Sequence, residues 1–243
     1  MSTIAVSALR LVSFADLEGR VWGGLLDAGS GPAMVFGGAD GEHGAGSGTL
    51  DLSAADDAWR LTGDGIELAI TPDEPASESV SESGERAELC TVTGTISAGG
   101  TPVAVNCPGT RSTDPGQGPV GSVRSVAGWF GPELALSLHA LRTAGSPGHE
   151  SDRIRATLFG AEGTRPVDEP RLSTTLREDD PARTSLELWV GEGDDMYPRR
   201  AAGEARGPAV RVGSAGLELA GVPLSCHSSG LEGVGVYLLA RFA

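Results

Sequence analysis

Glycine and proline break this chain into many short segments, and no other feature constrains the fold as strongly. The 243 residues include 37 glycines and 15 prolines. Between these breaks, apolar and polar residues alternate with the period of a β-strand, as in residues 64–71, where Ile66, Leu68 and Ile70 share one face. Many short strands separated by turns are typical of a β-sandwich or barrel. We therefore predict an all-β fold.

Two pairs of segments predict β-hairpins. Residues 88–96 and 101–107 flank the turn SAGG, and residues 122–130 and 133–142 flank Gly131-Pro132. A helix over 133–142 is the alternative, because Ala and Leu favour it, but the neighbouring strand favours β-structure.

The hairpin at SAGG also makes a prediction about two cysteines. A four-residue turn over 97–100 would pair residue 96 with 101 and place Cys90 opposite Cys107. The two would form a disulfide in an oxidising medium, or two buried free thiols inside a cell.

A Pro/Gly-rich stretch near the middle of the chain predicts the domain boundary. Residues 108–121 read PGTRSTDPGQGPVG and contain little apolar sequence. We predict an N-terminal β unit over residues 1–110 and a C-terminal β unit over residues 120–243. The two units are expected to be packed antiparallel barrels or half-barrels.

Charge and composition exclude several classes of function. Eighteen basic residues against 33 acidic ones give a net charge of −15, which disfavours nucleic acid and anionic lipid as partners. Every basic residue is Arg, so Schiff-base lysine chemistry and a P-loop are excluded. No apolar run reaches the ~20 residues of a membrane span. Three cysteines without CxxC spacing and a start without a signal-type segment predict a cytoplasmic protein.

Metal and cofactor motifs are missing from the sequence. There is no HxH, HExxH or CxxC spacing for a metal ion, and the acidic pairs lack a calcium-loop pattern. The glycine pairs Gly37-Gly38 and Gly99-Gly100 lack the spacing of a dinucleotide-binding turn. We predict that the protein uses no cofactor and no metal.

The second half of the chain resembles a known family. Residues 129–142 read WFGPELALSLHALR and are followed by GHE at 148–150, ATLF at 156–159, SLELW at 185–189 and GVGVY at 233–237. This order, over residues 120–240, resembles the C-terminal lipocalin-like unit of the carotenoid-hydratase-like group, bacterial proteins similar to hydroxyneurosporene synthase.

The resemblance implies two lipocalin-like barrels in tandem and hydration or cyclisation of isoprenoid-like substrates without a cofactor. That group carries a short acidic motif with Trp and Gly ahead of this unit. This chain has residues 112–118 there, with Asp114 and without Trp.

Five residues on separate predicted strands form the candidate site. Trp129, Trp189 and Tyr237 are expected to shape a cavity for a hydrophobic small molecule, because large aromatic rings with one polar atom suit such a wall. His139 and Glu187 lie on the same predicted amphipathic face and are the candidate acid and base. Ordinary packing between the two units is the alternative interpretation of this face.

Two classes of function stay open. The leading hypothesis is a protein that binds an isoprenoid- or polyketide-like molecule and hydrates, isomerises or cyclises it, as a lyase or an isomerase. The alternative is a non-catalytic β-barrel interaction or assembly module. An enzyme needs a cavity for its ligand, whereas an interaction module does not.

Overall fold

Two antiparallel β-sheets make up the protein. The computed structural model describes residues 8–29, 31–38, 41–53, 57–73, 78–80, 84–115, 118–131, 134–146, 148–161, 163–190, 198–214 and 216–242. Within these ranges there is no α-helix, and a single 3₁₀ turn covers His149–Ser151. The predicted all-β class is confirmed.

Eight strands of the first sheet close into a barrel. The strands of this sheet are β1 (Leu9–Ala15), β2 (Trp22–Asp27), β3 (Pro32–Gly37), β4 (His43–Asp51), β5 (Trp59–Gly63), β6 (Ile66–Pro72), β7 (Glu78–Val80), β8 (Arg86–Ala98) and β9 (Thr101–Asp114). Their order is β6-β5-β4-β3-β2-β1-β9-β8-β7, and β6 also pairs with β8, which closes the barrel and leaves β7 at its margin.

The second sheet curls into a half-barrel. Its strands are β10 (Val120–Trp129), β11 (Leu134–Thr143), β12 (Arg153–Gly160), β13 (Gly163–Pro166), β14 (Glu169–Arg177), β15 (Asp180–Trp189), β16 (Arg199–Ala205), β17 (Val210–Ser214), β18 (Leu217–Ser228) and β19 (Leu231–Phe242). Their order is β13-β12-β11-β10-β19-β18-β16-β15-β14, and β17 also pairs with β18. The predicted hairpin at Gly131-Pro132 is present, with Trp129 opposite Ala135, so residues 134–143 are a strand and not a helix.

Three apolar clusters hold the sheets together. One fills the barrel, one fills the half-barrel, and one lies between the two sheets. Alternation along β11 shows how one strand serves two of them: Leu136 and Leu138 pack inside the half-barrel, whereas Ala135 and Leu141 face the barrel.

The Pro/Gly-rich stretch 108–121 is mostly strand, which corrects the expectation of a connector. Strand β9 continues to Asp114, and residues 109–113 pair with β1 on one side and β8 on the other, whereas Asp114 pairs with β1. Pro108 is tolerated because it pairs with Thr91 of β8 but has no partner in β1, so its missing N–H breaks no ladder there. Sheet pairing on both edges therefore outweighs the local turn composition.

The expected register at SAGG was wrong by two residues. The turn consists of Gly99 and Gly100 alone, with φ values of 57° and 85°, and Ala98 pairs with Thr101. Two glycines allow this tight turn because both positions are left-handed. Cys90 therefore faces Gly109, and all three cysteines are buried free thiols. Burial raises the pKa of the Cys107 thiol to about 11.

None of the helical segments in the described part of the chain has the length and apolar character that a bilayer crossing requires.

Barrel closure depends on a glycine, which gives a first prediction. Gly94 of β8 lies opposite Leu68 of β6 with a φ of 135°, and a Cβ there would sit 2.0 Å from the Glu67 carbonyl oxygen. We expect Gly94→Ala to lower the free energy of unfolding by about 1–3 kcal/mol, the usual cost of such backbone strain.

Urea unfolding measures this effect. Gly213→Ala is the matched control, because a Cβ at Gly213 meets no atom within 4 Å. Equal stability of the two variants would contradict the role of Gly94 in closure.

Candidate functional site

The five residues predicted for the site lie on three different surfaces of the half-barrel. Trp129 and His139 face the barrel, on adjacent strands. Tyr237 lies inside the half-barrel, within its apolar cluster. Glu187 and Trp189 alternate with the inward-facing Leu186 and Leu188, and so lie on the outer face. Of the five, the structure therefore places only Trp129 and His139 on one face, four residues apart in the register of β10 and β11.

His139 is the centre of a buried charged cluster between the two sheets. Its Nε2 atom lies 2.6 Å from a Glu85 carboxylate oxygen and 3.8 Å from an Asp114 carboxylate oxygen. Glu85 precedes β8 and Asp114 ends β9, so both carboxylates come from the barrel, whereas His139 belongs to β11. All three residues are less than 7% exposed.

Two arginines complete this cluster, which we call the inter-sheet cluster: Glu85, Asp114, His139, Arg153 and Arg155. Arg153 donates to Asp114 at 2.7 Å, and Arg155 donates to Glu85 at 3.1 Å. Both arginines lie on β12, and Arg155 is the direct cross-strand partner of His139. Two carboxylates thus face two guanidinium groups and one imidazole.

The carboxylates keep His139 charged. Burial by itself lowers the pKa of His139, but the nearby carboxylates of Asp114 and Glu85 outweigh it and raise the pKa to about 9. At neutral pH the imidazole therefore carries its proton. A buried group with a strongly shifted pKa and specific charged partners is a candidate functional residue.

Strand pairing explains why these residues meet. Arg86 and Thr113 are partners in the β8–β9 ladder, so the residues just before and after them, Glu85 and Asp114, come together at one end of the barrel. Asp114 is also opposite Leu9, whose side chain packs between the sheets. Alternation along β11 turns His139 toward the same boundary.

Sequence reasoning identified His139 and missed its partners. Glu85 lies in an acidic, Ser-rich stretch, residues 72–87, and no local signal distinguishes it there. Asp114 stands where the carotenoid-hydratase-like group carries its acidic motif, so that position did carry a signal.

A metal ion does not fit the inter-sheet cluster. Glu85, Asp114 and His139 are the one group of three such ligands found among the described residues, with ligand atoms within 4.8 Å of one another. However, Arg153 and Arg155 already contact the two carboxylates, so a divalent cation would stand beside two fixed positive charges. The arrangement suits a shared proton better than a metal.

The inside of the half-barrel holds a second polar group, around Tyr237. The Tyr237 hydroxyl is 2.9 Å from the Thr174 hydroxyl, and burial raises its pKa. Nearby, Arg124 donates to Asp152 at 2.7 Å, and Arg142 donates to the same carboxylate at 2.8 Å. These contacts pair the buried charges of the half-barrel with one another.

Glu187 is held by arginines on the outer face. Its carboxylate lies 3.3 Å from Arg200 Nε and 3.8 Å from Arg171 Nη1. It lines an open cleft of about 620 Å³ together with His227. Neither Trp129 nor Tyr237 reaches this cleft.

Comparison with known proteins identifies the fold. No protein-family model matches the chain, and no curated protein matches its sequence. Among solved structures, a protein of Nitrosomonas europaea provisionally named ATTH superposes with a TM-score of 0.62 at 13% identity, over 97% of this chain and 92% of that one.

Two further structures share the architecture. CghA solved with Sch210972 has a TM-score of 0.57 at 12% identity, over 98% of this chain and 89% of its own. Kievitone hydratase from Nectria haematococca has a TM-score of 0.56 at 11% identity, over 100% of this chain and 93% of its own. The resemblance to carotenoid-hydratase-like proteins is thereby confirmed for the fold.

The raised pKa of His139 predicts how stability depends on pH. A group whose pKa is higher in the folded than in the unfolded protein stabilises the fold below the unfolded value and loses that contribution as pH rises through the folded value. We therefore expect the free energy of unfolding to fall by a few kcal/mol between about pH 6.5 and about pH 9.

Denaturation at a series of pH values tests this, with His139→Gln as the comparison. The difference between wild type and variant should shrink across that interval. A difference that is constant with pH would show that folding does not raise the pKa of His139.

Proposed function

We propose that the protein binds an apolar small molecule between its two sheets and hydrates, isomerises or cyclises it by acid–base chemistry, with His139 as the proton donor. One observation carries the proposal: His139 is buried at the boundary of the sheets and contacts two carboxylates from the opposite sheet. Such an arrangement holds a proton in a site shielded from bulk water.

The chemistry needs only this proton and a water molecule. The His139 imidazolium gives its proton to a double bond or carbonyl oxygen of the ligand, and the positive charge that develops is taken up by water or by a second double bond. In hydration the added water, and in isomerisation or cyclisation a carbon next to the cation, then returns one proton to the neutral imidazole. Glu85 and Asp114 orient the ring and stabilise its charged form.

Trp129 supplies a second polar atom on the same face. Its indole Nε1 is buried and has no hydrogen-bond partner among the described residues. A buried donor without a partner is uncommon in proteins, and an oxygen atom of a ligand would satisfy it. Trp129 pairs with Ala135 of β11, four residues before His139 on that strand, so both side chains face the barrel.

The structural neighbours support this proposal through their names. One is a hydratase, kievitone hydratase, and CghA was solved together with the compound Sch210972. Both share the fold along nearly the whole chain, so a small molecule acted on within this architecture has precedent.

The second candidate is a non-catalytic module, in which the inter-sheet cluster only holds the two sheets together. Both carboxylates of the inter-sheet cluster have arginine partners, and an apolar cluster surrounds the boundary. These contacts also suit a module whose two sheets are simply locked together. The two candidates differ in the effect of replacing His139: an enzyme would lose turnover, whereas a non-catalytic module has no turnover to lose.

Replacing His139 tests the proposal. Wild type and His139→Gln are incubated with isoprenoid alkenes and polyketide-like enones, and products are followed by mass spectrometry as addition of water or as isomers of unchanged mass. We expect His139→Gln to lower the rate about 100-fold or more, the usual contribution of a positioned acid. A chelator added to wild type should leave the rate unchanged.

His227→Gln is the matched control, because His227 lies on the outer face of β18, away from the inter-sheet cluster. It should keep the wild-type rate. If wild type converts no substrate of either class, or if His139→Gln retains the full rate, the non-catalytic module is the better supported function.

Trp129→Phe separates ligand binding from packing. The variant keeps an aromatic ring but loses the unpartnered N–H and part of the indole ring, so the free energy of unfolding should fall by about 1–3 kcal/mol, the cost of a smaller side chain in the packed core. Affinity for an oxygen-bearing apolar ligand should fall about tenfold, the value of one hydrogen bond. Equilibrium binding and urea unfolding measure the two effects, and an unchanged affinity would remove Trp129 from the site.

A further inference from the structure

The layer between the two sheets contains hydroxyl groups as well as apolar side chains. Six buried Ser and Thr residues, on five strands of the two sheets, belong to it. None of them is more than 7% exposed. We call them the hydroxyl patch: Ser13 of β1, Thr110 and Ser112 of β9, Ser125 of β10, Ser137 of β11 and Thr157 of β12.

Strand alternation directs three of these hydroxyl groups from the barrel toward the half-barrel. Ser13 alternates with Leu11 and Ala15 of β1, which both belong to the apolar layer between the sheets. On β9, Thr110 is the direct partner of Ser13, and Ser112 is the direct partner of Leu11. Direct partners on neighbouring antiparallel strands share one face of the sheet, so all three hydroxyl groups face the half-barrel.

The other three hydroxyl groups lie next to His139 on the half-barrel. Ser137 is two residues before His139 on β11 and therefore shares its face. Ser125 is the direct partner of His139 on β10, and Thr157 is the direct partner of Ser137 on β12. The hydroxyl patch thus adjoins the residue that we propose as the proton donor.

Two contacts between the sheets determine how the halves of the hydroxyl patch meet. Gly24 lies against Leu238, because a Cβ on Gly24 would clash with the Leu238 side chain. These two residues are the direct partners of Ser13 and Ser125. The second contact is the inter-sheet cluster, on the other side of the patch. The strands that carry the patch lie between these contacts, so its two halves face each other.

The polar groups on this face lack partners in the protein. In the ranges that the structure describes, none of the six hydroxyl groups of the patch forms a hydrogen bond with another residue. Trp129 Nε1 and Arg153 Nε are buried donors without a partner on the same face of the half-barrel. A buried polar group without a partner costs free energy, which an oxygen atom of a ligand would recover.

One of these unpartnered donors is close to the proposed proton donor. Arg153 holds Asp114 through Nη2 at 2.7 Å, and the same Asp114 carboxylate is 3.8 Å from His139 Nε2. The Nε–H of this guanidinium group is therefore available to an oxygen atom next to the reacting centre. Trp129 offers the second donor four residues away in the strand register, or about 13 Å at ~3.3 Å per residue.

We propose that the ligand of the inter-sheet site is polyoxygenated: hydroxyl or carbonyl oxygens are spaced along its apolar skeleton, and it is not an isoprenoid hydrocarbon. This inference rests on the proposed function and names the substrate class of that site. A hydroxyl group both donates and accepts, so the hydroxyl patch suits either kind of oxygen. The apolar side chains of the layer would contact the carbon skeleton.

Such a site discriminates against a hydrocarbon of the same shape. A hydrocarbon would cover the hydroxyl patch and leave its groups without partners, whereas a purely apolar cavity would accept it. Sites built to hydrogen-bond an oxygen of the substrate reject the analogue without that oxygen far more strongly than apolar pockets reject a missing methylene.

Equilibrium dialysis of the full chain with two matched pairs of probes tests the proposal. The pairs are stilbene with resveratrol, and chalcone with a trihydroxychalcone; within each pair, only the hydroxyl groups differ. Wild type should bind the hydroxylated member saturably and at least tenfold more tightly. Ser137→Ala and Thr157→Val should each weaken its binding about tenfold, the value of one hydrogen bond, and leave the affinity for the parent compound unchanged.

Ser228→Ala is the matched control, because Ser228 is also buried but donates to the Arg200 carbonyl oxygen at 2.9 Å. It should keep the affinity for the hydroxylated probes and lower the free energy of unfolding of the ligand-free protein, measured in urea. Ser137→Ala should leave that free energy unchanged or higher, because no hydrogen bond within the protein is lost.

Three results would overturn the polyoxygenated class: equal affinity within both pairs of probes, failure of both hydroxylated probes to bind, or equal loss of affinity in Ser137→Ala and Ser228→Ala. Failure of the proposed function appears in a different measurement. His139→Gln would then retain the wild-type rate, while the order of affinities among the probes stayed the same.

Discussion

The apolar layer between the two sheets is the contact on which the rest of the structure depends. Strands from both sheets contribute to it, and those strands are buried on both faces: every residue of β2 is buried, and so is the centre of β19. Trp22 and Leu26 of the barrel share this layer with Val236 and Leu238 of the half-barrel. Neither sheet could expose this face to water at acceptable cost, so the two must pack together.

Strands that are buried on both faces cannot carry unpaired charges. The buried charged side chains of the barrel, and those of the half-barrel, are therefore paired with one another. In the barrel, Arg111 donates to Glu88 at 2.8 Å and to Asp57 at 2.9 Å. In the half-barrel, Arg124 is paired with Asp152. Arginine does not lose its proton in proteins, so these two groups are fixed. The inter-sheet cluster differs because its imidazole can give up a proton, and this singles it out as a site for chemistry.

The fold is shared with proteins that are about one-eighth identical in sequence, and their names include a hydratase. A fold of this kind is a scaffold, and function is decided by the residues placed on it. Here the scaffold places a buried histidine between the sheets, beside two carboxylates.

The sequence by itself determined the strands, because alternation and glycine turns are local properties, and it turned His139 and Trp129 toward one face of β11 and β10. It could not place Tyr237, Glu187 and Trp189, since period-2 patterns show that a strand has two faces without showing which of them turns inward. Only the tertiary structure brought Glu85 and Asp114 to His139, across 54 and 25 residues of chain. These contacts form only when the barrel closes and the two sheets pack together. Contacts between residues so far apart in the chain produce no periodic pattern in the sequence.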